Sequence, residues 1–183
     1  MEIRITSSQV LKALQIISWI IFIGLCIEAG GILFNSILTL ASNPVVAGHF
    51  WGIDLSGVFN FSRTHFISIT TVMFIIATLK AILFYLIVKL FVKKQLDMSK
   101  PFSKELRQFM VHMAWLALGI ALFSHSGGRF RTWLMEQRVQ MPDLSSLRFA
   151  GADIWLFMAV ILMVFAQILK RGIEIQTENE LTV

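Results

Sequence analysis

The chain has 183 residues, of which 56% are apolar and only 15% carry a charge. Soluble domains contain about 45–50% apolar and about 25% charged residues, so a soluble fold of this length would leave too much apolar surface in water. The net charge of +5 is distributed over the ends of apolar segments and does not form one basic patch. The composition therefore indicates a protein embedded in a lipid bilayer and argues against direct binding of nucleic acid.

Four apolar stretches are long enough to cross a bilayer as helices, which requires about 20 residues each. We place the spans at residues 11–38, 66–92, 106–125 and 152–170, with a tail at 171–183. Helices are expected because unpaired backbone groups cannot face lipid and no alternating strand pattern is present. The predicted fold is all-α, a polytopic transmembrane four-helix bundle that forms one domain over residues 1–183. Ser103 is expected to cap the third helix.

The basic residues predict the orientation of the chain. Of the 16 Lys and Arg residues, ten lie in the segments on the side of the termini, five lie in the two loops on the other side, and Lys80 lies within a span. Because cytoplasmic loops are enriched in Lys and Arg, both termini are predicted to be cytoplasmic. The first apolar run is too long for the core of a cleavable signal, so we expect it to be retained as the first span.

The two outer loops offer few chemical motifs. His49, Asp54 and His65 of the first loop match no established metal-ligand spacing, so they are interpreted as solvated residues. The second loop starts at Gly127-Gly128 and mixes basic with bulky apolar residues over 129–139. This segment fits either a short interfacial helix or an ordinary connector that packs over the bundle.

Three ionisable residues, Glu28, Lys80 and His112, fall within the predicted spans. Such residues are rare in membranes and normally face other helices. Each span also has small or polar residues at helical spacing, which allow close packing of helices, and we expect these faces to form the bundle interior. The faces are Gly24, Glu28, Gly31 and Asn35 in the first span, Thr70, Met73, Ala77 and Lys80 in the second, His112, Gly119 and Ser126 in the third, and Ala152, Ala159 and Ala166 in the fourth.

Two interpretations of these polar residues remain open. Glu28 and Lys80 form an ion pair that fixes the packing of the helices, with His112 hydrogen-bonded near the membrane edge. Alternatively, Glu28, Lys80 and His112, with Asn35 nearby, form a relay for protons or ions or a pocket for a polar ligand. Transporters normally have more spans or internal repeats, which a homo-oligomer of this chain would supply.

Sequence motifs for catalysis or cofactor binding are missing. We find no Gly-rich phosphate loop, no nucleophile elbow, no zinc-protease motif and no second cysteine to pair with Cys26. The sequence therefore predicts a protein that is not an enzyme and that requires no cofactor.

Three segments resemble a known family. They are Lys100-Pro-Phe-Ser103 before the third span, Gly151-Ala-Asp153 at the start of the fourth, and the terminal Arg171-Gly-Ile-Glu followed by Glu178-Asn-Glu-Leu-Thr-Val183. They are similar to the bacterial membrane family catalogued as Domain of Unknown Function twenty-nine seventy-five. The resemblance implies a four-helix protein of the bacterial inner membrane, often encoded beside a small helix-turn-helix regulator, and it implies no reaction.

The tail and the resemblance together lead to the functional hypothesis. We expect a non-enzymatic signalling protein whose cytoplasmic loop and tail bind a soluble helix-turn-helix regulator. The tail residues proposed to contact it are Glu178, Glu180, Leu181, Thr182 and Val183. An extended apolar end with a free carboxylate can enter a groove or join a sheet edge. The alternatives are that this end packs beneath the bundle, and that the protein is a small transporter, channel or ligand-binding bundle using Glu28, Lys80 and His112.

Overall fold

The computed structural model describes residues 7–41, 44–92 and 103–180. Its helices are α1 (Ser7–Ala41), a short 3-10 helix (Pro44–His49), α2 (Ser56–Phe61), α3 (Arg63–Val92), α4 (Lys104–Glu136) and α5 (Ala152–Glu180). Within these ranges no strand forms, and the only β-type pairing is a single bridge between Phe50 and Ile53. The all-α prediction is therefore confirmed.

Four of these helices, α1, α3, α4 and α5, are long and apolar enough to cross a membrane. This confirms the predicted number of four long apolar helices and fits a four-helix membrane bundle, although the third helix continues well past the predicted end of its span at residue 125. The helices pack in chain order, α1 against α3, α3 against α4 and α4 against α5, and these three pairs form the main helix contacts of the described chain. Ser103 caps α4 as expected, because its hydroxyl accepts a hydrogen bond from the Leu106 N–H at 3.1 Å.

Neither alternative for residues 129–139, a separate interfacial helix or an ordinary connector, describes the structure in full, because residues 129–136 continue α4 and only 137–139 form a connector. Gly127 and Gly128 lie inside α4, which continues without a break to Glu136. A glycine within a helix costs only about 1 kcal/mol, and here it has a packing role. A Cβ atom at position 127 would lie 2.9 Å from ring carbons of Phe149, so the glycine makes room for that buried ring.

The two loops on the side opposite the termini fold together into a small body that we call the cap, residues 44–61 and 137–151. Phe50, Leu55, Val58 and Leu147 are fully buried in it. Phe50 and Phe59 pack edge-on against Phe66 at the start of α3, with ring centroids 5.7 and 5.2 Å apart. The two halves of the cap meet closely at Gly57, where a Cβ would lie 2.8 Å from the Gln140 carbonyl oxygen. The cap is therefore one packed unit.

Two aspartates shape the turns of the cap. Asp54 accepts hydrogen bonds from the N–H and hydroxyl of Ser56 at 2.9 and 2.5 Å. Asp143 accepts from the N–H groups of Ser145 and Ser146 at 3.0 and 3.1 Å and from the Ser146 hydroxyl at 2.5 Å. The bonds from the Ser56 hydroxyl and the Ser146 hydroxyl are the main causes that lower the pKa of Asp54 and of Asp143 below 3.8.

The cap also determines the rotation of α1. The Trp51 ring occupies the space where a Cβ of Gly31 would lie, so any side chain at position 31 would collide with it. Trp51 itself has a left-handed backbone (φ 48°), as does the following Gly52 (φ 78°), and this tight turn presents the ring to α1. The packing of Trp51 on Gly31 is therefore a direct contact between the cap and a membrane helix.

Candidate functional site: a polar cluster inside the bundle

The strongest candidate site is a group of four side chains, Glu28, Lys80, Arg148 and Trp155, which we call the polar cluster. Glu28 lies 13 residues before the end of α1 at Ala41, which corresponds to about 20 Å along the helix axis. Lys80 lies 17 residues after the start of α3 at Arg63, or about 25 Å. Both residues therefore lie well inside the apolar part of their helices.

Glu28 forms its ion pair with Arg148 and not with Lys80. The Nε of Arg148 donates to Oε1 of Glu28 at 2.5 Å, with 21% of the Glu28 side chain and 48% of the Arg148 side chain exposed. Arg148 has a left-handed backbone (φ 64°), and its neighbours Leu147 and Phe149 are both buried in the cap. The two anchored neighbours hold the guanidinium against α1, so the ion pair ties the cap to the first membrane helix.

Lys80 is half-buried, and its Nζ lies 5.8 Å from the centre of the Trp155 ring on α5. An ammonium group over an indole face is attracted by the negative face of the ring. The charges of Glu28 and Arg148 also act on Lys80, the first attracting it and the second repelling it. The predicted Glu28–Lys80 ion pair is therefore wrong as a direct contact, although both residues belong to one electrostatic group.

The polar cluster brings together two cations and one carboxylate. Such a group carries an excess positive charge, and its half-buried members favour an additional anionic partner. Chemically, the arrangement can hold an anion or fix the relative positions of three helices and the cap. Its members come from α1, α3, α5 and the cap, so a change in any of these elements alters its contacts.

His112 and Asn35 are not part of the polar cluster. His112 is exposed on α4, while its neighbour Met113 is buried, so the predicted inward face of the third span is displaced by one residue. Asn35 is half-buried and donates from Nδ2 to the Gly31 carbonyl oxygen at 2.8 Å, which satisfies it within α1. The three-residue relay of Glu28, Lys80 and His112 is therefore not assembled.

The other predicted interior faces differ in accuracy. Thr70, Met73 and Ala77 of α3 are buried, as are Ala159 and Ala166 of α5. Lys80 and Ala152 are half-buried, so these two faces are confirmed at most of their positions. The face of α1 is wrong in part, since Gly24 is exposed with nothing near it. In the third span Ser126 is exposed, and the inward residues of α4 are instead mostly small: Met113, Ala114, Ala117, Ile120, Ala121, Ser124 and Gly127.

The predicted tail site is only partly within the described residues. α5 continues past Lys170 to Glu180, so residues 171–180 are helical and not extended. Glu178 is exposed on this helical extension, and Glu180 is its last residue. Leu181, Thr182 and Val183 lie outside the described residues, as does the connector 93–102.

The histidines and acidic residues of the described ranges form no cluster of three that would hold a metal ion. His65 instead stacks on Phe130 and Trp133, with ring centroids 5.8 and 5.3 Å apart. The Asp54 carboxylate accepts hydrogen bonds from the N–H and hydroxyl of Ser56 within the cap.

Arg148 and Trp155 are the members of the polar cluster that the sequence did not reveal as site residues. Arg148 counts in the sequence as one of several loop arginines, and 120 residues separate it from Glu28. A useful signal was its position three residues before Gly151, at the start of the last span, where an arginine side chain can reach into the bundle. Trp155 lies in an apolar run and carries no such signal.

The fold and the polar cluster define a class, a four-span α-helical membrane protein with ionisable side chains between its helices. A family model described as a protein of unknown function (DUF2975) matches residues 42–183. The chain belongs to this family, as the resemblance of its three segments predicted. A search of curated proteins and a search of solved structures each found no match.

Proposed function

We propose that this chain is a non-enzymatic signalling protein that binds a soluble regulator on the side of the membrane where its termini lie. The observation that supports this most directly is the continuity of α5. One helix runs from Ala152, beside the polar cluster, to Glu180, beyond the basic pair Lys170-Arg171 that ends the apolar span. A helix without a break transmits a shift or rotation at one end to the other, because its backbone hydrogen bonds keep it rigid.

The helical extension of α5 has features of a binding element. Arg171 donates to Glu174 at 3.1 Å, and Lys170 lies 3.8 Å from the same carboxylate, so side-chain pairs stabilise the helix here. Ile175 and Glu178 are exposed on it. A helix with an apolar residue among charged ones can bind in a groove on a partner. We therefore propose groove binding by this helix in place of the addition of an extended end to the edge of a sheet.

The excess of Lys and Arg on this side of the membrane supports a cytoplasmic location for both termini. The family resemblance adds the bacterial inner membrane as the location and a small helix-turn-helix protein as the regulator. In this proposal the polar cluster holds α5 in one position through the contact of Lys80 with Trp155. A change in the Glu28–Arg148 ion pair shifts α5 and thereby changes the affinity of its extension for the regulator.

The test is a crosslinking pull-down of the tagged full-length chain from native membranes. Deletion of Glu178–Val183 is expected to abolish capture of the DNA-binding regulator, and Trp155→Ala to change it several-fold without affecting insertion. Phe157→Ala, on the lipid-facing side of the same helix, is the matched control and should leave capture unchanged. Capture that survives both the tail deletion and neutral substitution of the lysines in 93–104 would refute the proposal.

A second candidate is a bundle that binds or transports an anion at the polar cluster, favoured by the excess of cations there. Glu28→Gln and Lys80→Met should then change ligand binding or flux in proteoliposomes. If these variants change only the thermal stability, the polar cluster is structural. His112→Ala serves as the control, because His112 lies on α4 outside the cluster.

A further inference from the structure

A second polar site shares no residue with the polar cluster, although it lies close to it along the chain at Phe149 and Asp153. It is a cleft of about 560 Å³ between the last turns of α4, the cap and the first turn of α5. Its volume lies within the range of about 300–1,000 Å³ that is typical of small-molecule sites. Four of its lining residues are ionisable, namely His125, Arg129, Glu136 and Asp153.

The four ionisable side chains of the cleft make no ion pair or side-chain hydrogen bond with any residue in the described ranges. His125 and Arg129 are one helical turn apart on α4 and are both exposed. Asp153 lies opposite them in the first turn of α5. The cleft therefore presents cationic and anionic groups that are available to a ligand, and this combination suits a zwitterion better than a simple anion.

Ser124 gives independent evidence for a ligand. Its side chain lines the cleft, is only 1% exposed, and its Oγ has no hydrogen-bond partner in the described structure. The hydroxyls of Ser18 and Ser36 on α1 and of Thr132 on α4 donate to the carbonyl one turn earlier, whereas those of Thr39 and Thr78, which do not line the cleft, lack a partner as well. A buried hydroxyl without a partner is costly, so the Ser124 hydroxyl is available to donate to a group that occupies the cleft.

The start of α5 contributes backbone donors. Gly151, Ala152 and Asp153 line the cleft, and the first N–H groups of a helix have no partner within the helix. These groups and Arg129 suit a phosphate, whereas Asp153 and Glu136 suit an ammonium group.

The position of the cleft identifies the kind of zwitterion. The apolar part of α5 begins at Ala152, and Ile154 and Phe157 just below the cleft are each 64% exposed on the surface that faces lipid. Trp133 at the cleft is also exposed, as tryptophans at membrane interfaces commonly are. A ligand whose head lies in the cleft would lay its acyl chains along this apolar surface.

We propose that this cleft binds the headgroup of a phospholipid that carries both a phosphate and a primary amine, as phosphatidylethanolamine does. The phosphate lies against Arg129, the start of α5 and the Ser124 hydroxyl, and the ammonium lies against Asp153 and Glu136. This site is separate from the polar cluster and does not depend on the proposed regulator.

The test uses native mass spectrometry of the delipidated full-length protein with phosphatidylethanolamine, phosphatidylcholine or phosphatidylglycerol of identical chains. Phosphatidylethanolamine should be retained about tenfold better than the other two lipids. Phosphatidylcholine has an ammonium group without N–H donors, and phosphatidylglycerol has no amine. Arg129→Gln should reduce retention of phosphatidylethanolamine about tenfold, and Asp153→Asn should remove its preference over phosphatidylglycerol. Ser124→Ala should reduce retention about threefold.

Arg138→Gln is the matched control, because this exposed arginine follows α4 but does not line the cleft. This variant should retain phosphatidylethanolamine as the unchanged protein does. Arg129→Lys should retain more of the lipid than Arg129→Gln if Arg129 acts through its charge and not through folding. Equal retention of the three lipids, or equal effects of Arg129→Gln and Arg138→Gln, would overturn the proposal. Displacement of the lipid by an equal concentration of water-soluble phosphoethanolamine would assign the cleft to a soluble zwitterion instead.

Discussion

The cap and the membrane helices are held together by different means. In the cap, Phe50, Leu55 and Leu147 are completely buried, and glycines make room for close contacts. In α1, only 6% of the most apolar window is buried, and large side chains such as Ile20 and Phe34 are exposed on the helix surface. The cap buries many of its apolar groups against one another, as the hydrophobic effect favours, whereas lipid covers those of α1 at no cost. Close packing in the cap and between neighbouring helices therefore fixes the arrangement of the bundle, whereas the exposed surface of α1 contributes little to it.

The largest effect expected from this difference comes from removing one aromatic ring in each region. Phe50→Ala should destabilise the protein by about 3–5 kcal/mol, because it leaves a cavity in the packed cap. Phe157→Ala removes the same ring from a position that faces lipid and should change the free energy of unfolding by less than about 0.5 kcal/mol. Unfolding in mixed micelles by titration with SDS measures both values, and similar losses for the two variants would contradict the comparison.

A second comparison adds a single methyl group. Gly127→Ala places a Cβ 2.9 Å from the buried Phe149 ring and should cost about 1–3 kcal/mol. Gly24→Ala adds the same group to α1, where nothing lies within 4 Å, and should be neutral or slightly stabilising. The same SDS titration distinguishes them. If Gly127→Ala is also neutral, the contact between α4 and the cap is looser than the structure indicates.

A third comparison isolates the ion pair between the cap and α1. Arg138 and Arg148 both have left-handed backbones, with φ 63° and 64°, so replacing either with glycine relieves strain of about 1 kcal/mol. Only Arg148→Gly also removes the partner of Glu28. We expect Arg148→Gly to be less stable than Arg138→Gly by about 1–2 kcal/mol, a modest value because both groups of the pair are partly exposed.

In a Glu28→Gln background this difference should largely disappear, since the carboxylate is no longer present. A difference that persists there would mean that Arg148 stabilises the protein through contacts other than Glu28. The double-mutant comparison separates the two explanations because each single change removes only one partner.

The smallest expected effect is a dependence of cap stability on pH. Hydrogen bonds from the hydroxyls of Ser56 and Ser146 lower the pKa values of Asp54 and Asp143 below 3.8 in the folded protein. A carboxyl with a lowered folded pKa stabilises the fold above its unfolded pKa, and this contribution is lost as pH falls through the folded pKa. The thermal midpoint should therefore decline slightly below about pH 4. Asp54→Asn combined with Asp143→Asn should flatten this part of the profile.

The sequence predicted the membrane fold well because lipid selects helices by length and hydropathy alone. It predicted the inward faces of α3 and α5, where small residues such as Ala77 and Ala159 are also the buried ones. It misplaced the face of α4 by one residue, since His112 and Gly119 were chosen for their type while Met113 and Ile120 are the buried positions. When a helix carries apolar residues on every side, its hydropathy pattern does not show which side faces the neighbouring helices.

Most of the polar cluster was beyond sequence reasoning for a different reason. Glu28 and Lys80 are conspicuous in apolar spans, but their contacts are Arg148 and Trp155, which the fold of the cap brings to them. Nothing in the local sequence specifies a contact between residues 28 and 148. The continuation of α4 through Gly127-Gly128 was also not predicted, because glycine pairs usually indicate turns. In this helix Gly127 instead makes room for the Phe149 ring.

The contact between Gly31 and Trp51 has a consequence for how the protein is made. α1 is synthesised before the cap, so it can enter the bilayer as a helix whose rotation about its axis is not yet fixed by the cap. Trp51 is synthesised twenty residues after Gly31 and fixes that rotation only once its ring reaches the bare backbone of the glycine. We therefore expect a bulky residue at position 31 to disturb the rotational packing of α1 on the cap while sparing its insertion into the bilayer.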